Sequence, residues 1–114
     1  MGKHGENLAL RYLQDKGYAL VTTNWRCPHG EIDIIARDGD ELVFVEVRTR
    51  RASTTEPAFE SITTRKQARL VWLAEAYLNA HSLENARWRI DLIAIAIPHR
   101  GQPIIEHLEN GLGW

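Results

Sequence analysis

An α/β fold, a central mixed sheet flanked by helices, is what this 114-residue sequence predicts. Three observations carry it. Helical and strand-like stretches follow one another in the order αβββαββ. The run LVFVEVRTR at 42–50 is apolar on both faces, as a central strand requires. A helix stands between that strand and the next, the arrangement of a right-handed crossover between parallel strands.

Each element has its own signal. Ala9, Tyr12 and Leu13 fall at helical spacing and predict a first helix over His4–Lys16, stopped by Gly17. Tyr18–Arg26 reads as the first strand. Cys27-Pro28-His29-Gly30 interrupts it, since proline donates nothing to a ladder. Glu31–Arg37 and Glu41–Thr49 read as a hairpin around the turn residues Asp38-Gly39-Asp40. Residues 50–61, RRASTTEPAFES, lack periodicity and predict a mobile loop with basic ends. Leu70, Leu73, Ala74, Tyr77 and Leu78 share one face of a second long helix over Thr64–His81. Trp88–Ile97 is a fourth strand, ended by Pro98, and Ile104–Leu108 a short fifth.

Length predicts one domain over residues 1–114, and the 44% apolar and 25% charged fractions are those of an ordinary globular chain. No apolar run has the length of a membrane span, and the start MGKHGENLAL has no signal-peptide core. Cys27 is the single cysteine, which fits a reducing cytosol, so the expected location is cytoplasmic. The net charge of −1 supplies no global field for nucleic acid, so any such binding needs a local basic patch.

Acids stand in the wrong places for a plain sheet. Leu42, Phe44, Glu46 and Arg48 share one face of the third strand; Glu31, Asp33, Ile35 and Arg37 share one face of the second. With Gly39-Asp40 as the turn, Asp33 lies opposite Glu46; a shift of two brings Glu31 there instead. Two carboxylates at that spacing repel, and buried ones must find compensation. A hard divalent cation supplies it. Arg48 and Arg37, forming a structural ion-pair network, would also supply it. Glu6 shares a helical face with Ala9, Leu10 and Leu13 and so leans toward the sheet, although a first-turn glutamate also suits the helix dipole.

The ordered set Gly5-Glu6-x-x-Ala9, Asn24-x-Arg26, Gly30-Glu31-Ile32-Asp33 and Glu46-Val47-Arg48-x-Arg50, continued by Lys66-Gln67-x-Arg69-Leu70 and Arg89-x-Asp91, resembles the YraN family of uncharacterised bacterial proteins. That family is related to Holliday junction resolvases of the PD-(D/E)xK nuclease superfamily. The resemblance implies a restriction-endonuclease-like fold and metal-dependent hydrolysis of DNA phosphodiesters, at branched or junction sites. It implies that Asp33 and Glu46 hold Mg²⁺ or Mn²⁺ with the Val47 carbonyl, that Glu6 completes the set, and that Gln67 borders it. Related resolvases act as dimers, so a homodimer is expected. Arg48 departs from the pattern, which has lysine. Arginine does not lose its proton, but it grips phosphate and stabilises charge. A degenerate site that binds nucleic acid without cutting it, or a protein-interaction domain, are the alternatives.

Arg50, Arg51, Arg65, Lys66 and Arg69 flank the 50–61 segment and form a candidate phosphate-facing rim; Lys66 is otherwise a solvated lysine at a helix end. His4, His29, His81, His99 and His107 have no zinc-like spacing. Trp25, Trp72 and Trp88 read as core or interface aromatics, and Trp114 as part of a Gly-rich tail. Asp91 in IDLIA echoes Asp33 in IDIIA and is expected to pair with a cationic side chain rather than a metal.

Overall fold

The computed structural model describes residues 2–112; Trp114 lies outside them. Helix α1 (Gly2–Asp15) ends at Gly17, whose φ of +99° only glycine adopts freely, and the Tyr18 amide returns to the Leu13 carbonyl. Strands β1 (Ala19–Cys27), β2 (Gly30–Asp38) and β3 (Glu41–Arg51) follow as antiparallel neighbours. Asp38 pairs with Glu41, so the β2–β3 turn is the two-residue Gly39-Asp40 that the sequence predicts. Helix α3 (Thr64–Ala80) is preceded by α2 (Glu56–Glu60), and the Thr63 hydroxyl accepts from the Lys66 amide at its start. Strands β4 (Trp88–Ile97) and β5 (Ile104–Leu108) complete a five-stranded sheet in the order β1-β2-β3-β4-β5. Among the described residues only β3 and β4 are parallel, joined through α2 and α3.

The fold is therefore a mixed sheet with helices on both faces, a restriction-endonuclease-like α/β arrangement. On one face α1 sets Ala9 and Leu13 against Ile34, Val43, Val45, Ile93 and Ile95. On the other, α3 sets Leu70, Leu73, Tyr77 and Leu78 against Ile35, Leu42, Phe44 and Ile90. Burial on both faces explains why β3 and β4 read as continuous apolar runs. Among the described residues no helix is long and apolar enough to cross a membrane.

The segment 50–61 corrects the expectation of an irregular loop. Strand β3 runs on through Arg51, held by its parallel pairing with β4 as far as Ile97. Helix α2 then buries Ala58, and the Thr55 hydroxyl donates to Glu106 on β5. Five helical residues are too few to show a 3.6-residue period, so the pattern had nothing to register.

Asp91 pairs with a nearby cationic side chain, as the sequence expects. It is fully buried on β4, and its carboxylate accepts from Arg89 Nε at 2.9 Å, His107 Nε2 at 2.8 Å and the Asn110 amide at 3.0 Å. The Lys16 ammonium donates to His107 Nδ1 at 3.0 Å, which leaves Nε2–H to donate to Asp91. Arg89 also reaches Glu41 at 2.7 Å and Asp38 at 3.0 Å. Burial alone would push the Asp91 carboxyl up; its donors, His107 first and then Arg89, outweigh burial and hold it below the ordinary range. Asp91→Ala removes the buried anion that His107 and Arg89 share, leaving Arg89 to Glu41 and Asp38. It should cost roughly 3–5 kcal/mol of unfolding free energy, read by urea denaturation.

Candidate functional site

The site begins where the sheet comes apart. Counting register places Asp33 between Asn24 on β1 and Glu46 on β3, yet neither pair closes. The β1–β2 pairing passes from Thr23↔Ile34 to Trp25↔Ile32, and the β2–β3 pairing stops at Ile34↔Val45. Asn24 has φ +51°, a left-handed conformation that asparagine tolerates better than most residues. Side-chain alternation fails at the same point. Ile34 packs with the α1 face, while Ile32 and Ile35 both pack with the α3 face. Strict alternation over residues 31–37, the sequence's expectation, is thus corrected by a local twist. Released from the ladder, Asp33 replaces one of its bonds: Oδ2 accepts from the Val47 amide at 2.9 Å.

Three acids converge there. One carboxylate oxygen each from Glu6, Glu31 and Asp33 lies within 4.8 Å of the others. Glu6 arrives on α1 because Gly5 lets the helix approach β3; a Cβ on Gly5 would collide with the Thr49 hydroxyl. The Asn24 amide spans two of the acids, donating to Glu6 Oε1 at 3.0 Å and Glu31 Oε2 at 2.7 Å. Arg26 reaches Glu31 at 3.2 Å from a largely exposed position. A fourth acid, Glu46, is 7% exposed and neighbours Asp33. Arg48 holds its Oε2 at 2.6 Å, while Arg48 Nε is buried with no hydrogen-bond partner. Arg37, the other cation expected to neutralise these acids, is exposed and stands apart.

Burial, and then the Glu46 charge, push the Asp33 carboxyl up to about 8; the Val47 amide pulls the other way and loses. The acids form one side of a cleft of about 470 Å³, and Arg48, Arg50, Lys66 and Arg69 line it with them. Lys66 is not a freely solvated lysine: its ammonium donates to the Ser61 carbonyl at 3.2 Å. Gln67 does not line the cleft. Its amide donates to the Ile62 carbonyl at 3.3 Å, which folds the side chain back on the helix start. Arg51 is exposed outside the cleft, and Arg65 lies in a neighbouring hollow.

A profile of the uncharacterised protein family UPF0102 matches residues 5–95, a span that holds every acid of the cleft. The chain belongs to this family. A UPF0102 protein of Roseiflexus castenholzii is 51% identical over 110 residues, covering 95% of this chain and 89% of the relative. One from Chloroflexus aurantiacus is 50% identical, covering 94% and 86%. A third, from Renibacterium salmoninarum, is 46% identical, covering 99% and 95%.

In this UPF0102 protein the clustered donors are all hard oxygens carrying excess negative charge, and Asp33 resists ionisation without compensation. That set could hold a hard divalent cation. Sequence reasoning assigned no role to Asn24, and it met Glu31 only as Asp33's substitute in a shifted register. The Asn24-x-Arg26 motif was visible, but the left-handed turn that aims its amide was not.

An acid whose folded-state pKa is raised binds its proton more tightly in the native state. The metal-free protein should therefore lose stability as pH climbs from about 4 through about 8. Asp33→Asn removes that loss, and thermal melts at pH 8 in chelator should show it above wild type by roughly 4–8 °C per kcal/mol recovered. Gly5→Ala drives α1 off β3 and should cost about 1–3 kcal/mol by the same measurement.

Proposed function

We propose that this UPF0102 protein is a Mg²⁺- or Mn²⁺-dependent endonuclease acting on DNA phosphodiesters, at branched or junction sites. The observation that carries the reading is Asp33, drawn out of the sheet among Glu46, Glu6 and Glu31 beside a cluster of cations. The motif resemblance to Holliday junction resolvases supports the choice of branched DNA. It also supports action as a homodimer in the cytosol. Asp33, Glu46 and the Val47 carbonyl would hold the ion, with Glu6 completing the set and Glu31 adjoining it. The bound ion supplies a more acidic water and neutralises charge on the phosphate.

The chain's own groups do the rest. Arg48 stabilises negative charge at phosphorus, and its fixed positive charge excludes it as a base. Lys66, Arg69, Arg50, Arg51 and Arg65 hold the flanking phosphates and set the strand's register. Gln67 would border the substrate only after leaving the Ile62 carbonyl.

One observation favours a second reading, a nucleic-acid-binding module with a degenerate site. Arg48 already neutralises Glu46 at 2.6 Å, where a cation would otherwise be needed. Incubating four-way-junction and nicked DNA with Mg²⁺ or Mn²⁺ separates the two. The nuclease reading expects cleavage by wild type that falls to background in Asp33→Ala and Glu46→Ala, with salt-dependent junction binding retained. Cleavage unchanged in both variants would overturn the site. Binding with no cleavage in wild type or Arg48→Lys would establish the second reading.

A further inference from the structure

Trp72 is the one ring among the exposed large apolar side chains of the described residues, at 47% exposure. The sequence places it with Trp25 and Trp88 as a core or interface aromatic. Those two do pack inward, Trp25 against Tyr77 and Trp88 against Phe44, but Trp72 stands on the outer face of α3. Leaving an indole in water forfeits its burial, so the position calls for an occupant.

Its surroundings say which. Arg65, Ala68 and Arg69 precede it at i−7, i−4 and i−3, one stripe along the helix. His29, from the β1–β2 turn, braces the indole edge-on with ring centroids 4.5 Å apart. These residues line a shallow hollow of about 480 Å³. Arg69 lines both this hollow and the carboxylate cleft, and His29 is followed by Gly30, which lines the cleft. The two depressions therefore adjoin, with Arg69 between them. Exposed Glu75 lies one turn beyond Trp72, so a phosphate backbone is repelled there and drawn back toward Arg65 and Arg69.

An exposed indole flanked by guanidinium groups matches single-stranded nucleic acid, which offers a free base face beside each phosphate. A duplex keeps its base faces stacked inside. We propose that Trp72, braced by His29, is a stacking platform for an unpaired base of a strand whose backbone crosses Arg69 into the carboxylate cleft. This rests on the nucleic-acid reading above and deepens it: the substrate presents an unpaired nucleotide beside the reactive phosphate.

The test is equilibrium binding in chelator, which keeps it independent of cleavage. The probes are an end-labelled single-stranded thymidine oligonucleotide and an abasic oligonucleotide of the same length. Trp72→Ala should weaken the intact probe about fivefold or more and the abasic probe by less than about twofold, while Trp72→Phe retains most of the affinity. The intact probe should quench wild-type tryptophan emission, and the quench should vanish in Trp72→Phe. Equal losses on both probes, or none on either, would overturn the platform. So would a loss of self-association in Trp72→Ala with DNA binding unchanged, which would assign the ring to a protein contact. Absent cleavage by the wild type would leave a positive stacking result standing, and a negative one would leave the cleavage assay intact.

Discussion

Asp33 sits where the β2–β3 ladder ends, and the cleft depends on that parting. A carboxylate inside an intact ladder would point to one face and leave the backbone groups paired. Here β2 separates from β3 after the Ile34↔Val45 pair, and the Val47 amide is left to the Asp33 side chain. One hydrogen bond thus replaces a rung and brings an acid within reach of Glu6 and Glu31. The other elements serve this geometry. Gly5 lets α1 come close enough for Glu6, and Asn24, in a left-handed conformation beside the gap, ties Glu6 to Glu31.

Charge balance at the cleft is unresolved by design of the local sequence. Glu6, Glu31, Asp33 and Glu46 line the cleft, and among the described residues the cation paired with Glu46 is Arg48. Asp33 receives one backbone donor against burial and a neighbouring charge, so its proton is held unusually tightly. A divalent cation at this cleft would compete with the Arg48 guanidinium for the same anion. With lysine at this position such a cation would have a mobile point charge beside it; with arginine it would meet a planar fork fixed on Glu46.

Asp91 shows that an acid in this sheet need not behave so. It occupies the second place of IDLIA as Asp33 occupies the second place of IDIIA. Asp91 accepts from a guanidinium, an imidazole and a backbone amide, and its carboxyl is held low. Asp33 accepts from one amide and faces Glu46, and its carboxyl is pushed up. Near-identical local sequence gives opposite electrostatics, because Asp91 draws donors from its own strand, from β5 and from the turn after it, whereas Asp33 has a single backbone amide.

Much of this was legible along the chain. Period-2 and period-3.6 patterns determined the strands and both long helices, and the boundaries of β4 and β5 coincide with their apolar runs. The turn at Gly39-Asp40 set the register up to Ile34↔Val45, the last rung before Asp33 and Glu46. Helix α2 stayed hidden because one turn and a half leaves no period to read. The parting of β2 from β3, the left-handed Asn24, the recruitment of Glu31 and the inward fold of Gln67 belong to the tertiary structure. Each depends on which distant backbone or side chain is within about 3 Å, the range of a hydrogen bond, and no local pattern encodes that distance. The exposure of Trp72 was decided the same way. An amphipathic pattern assigns a tryptophan to a face of its helix, but only the packing of α3 on the sheet settles which face meets water.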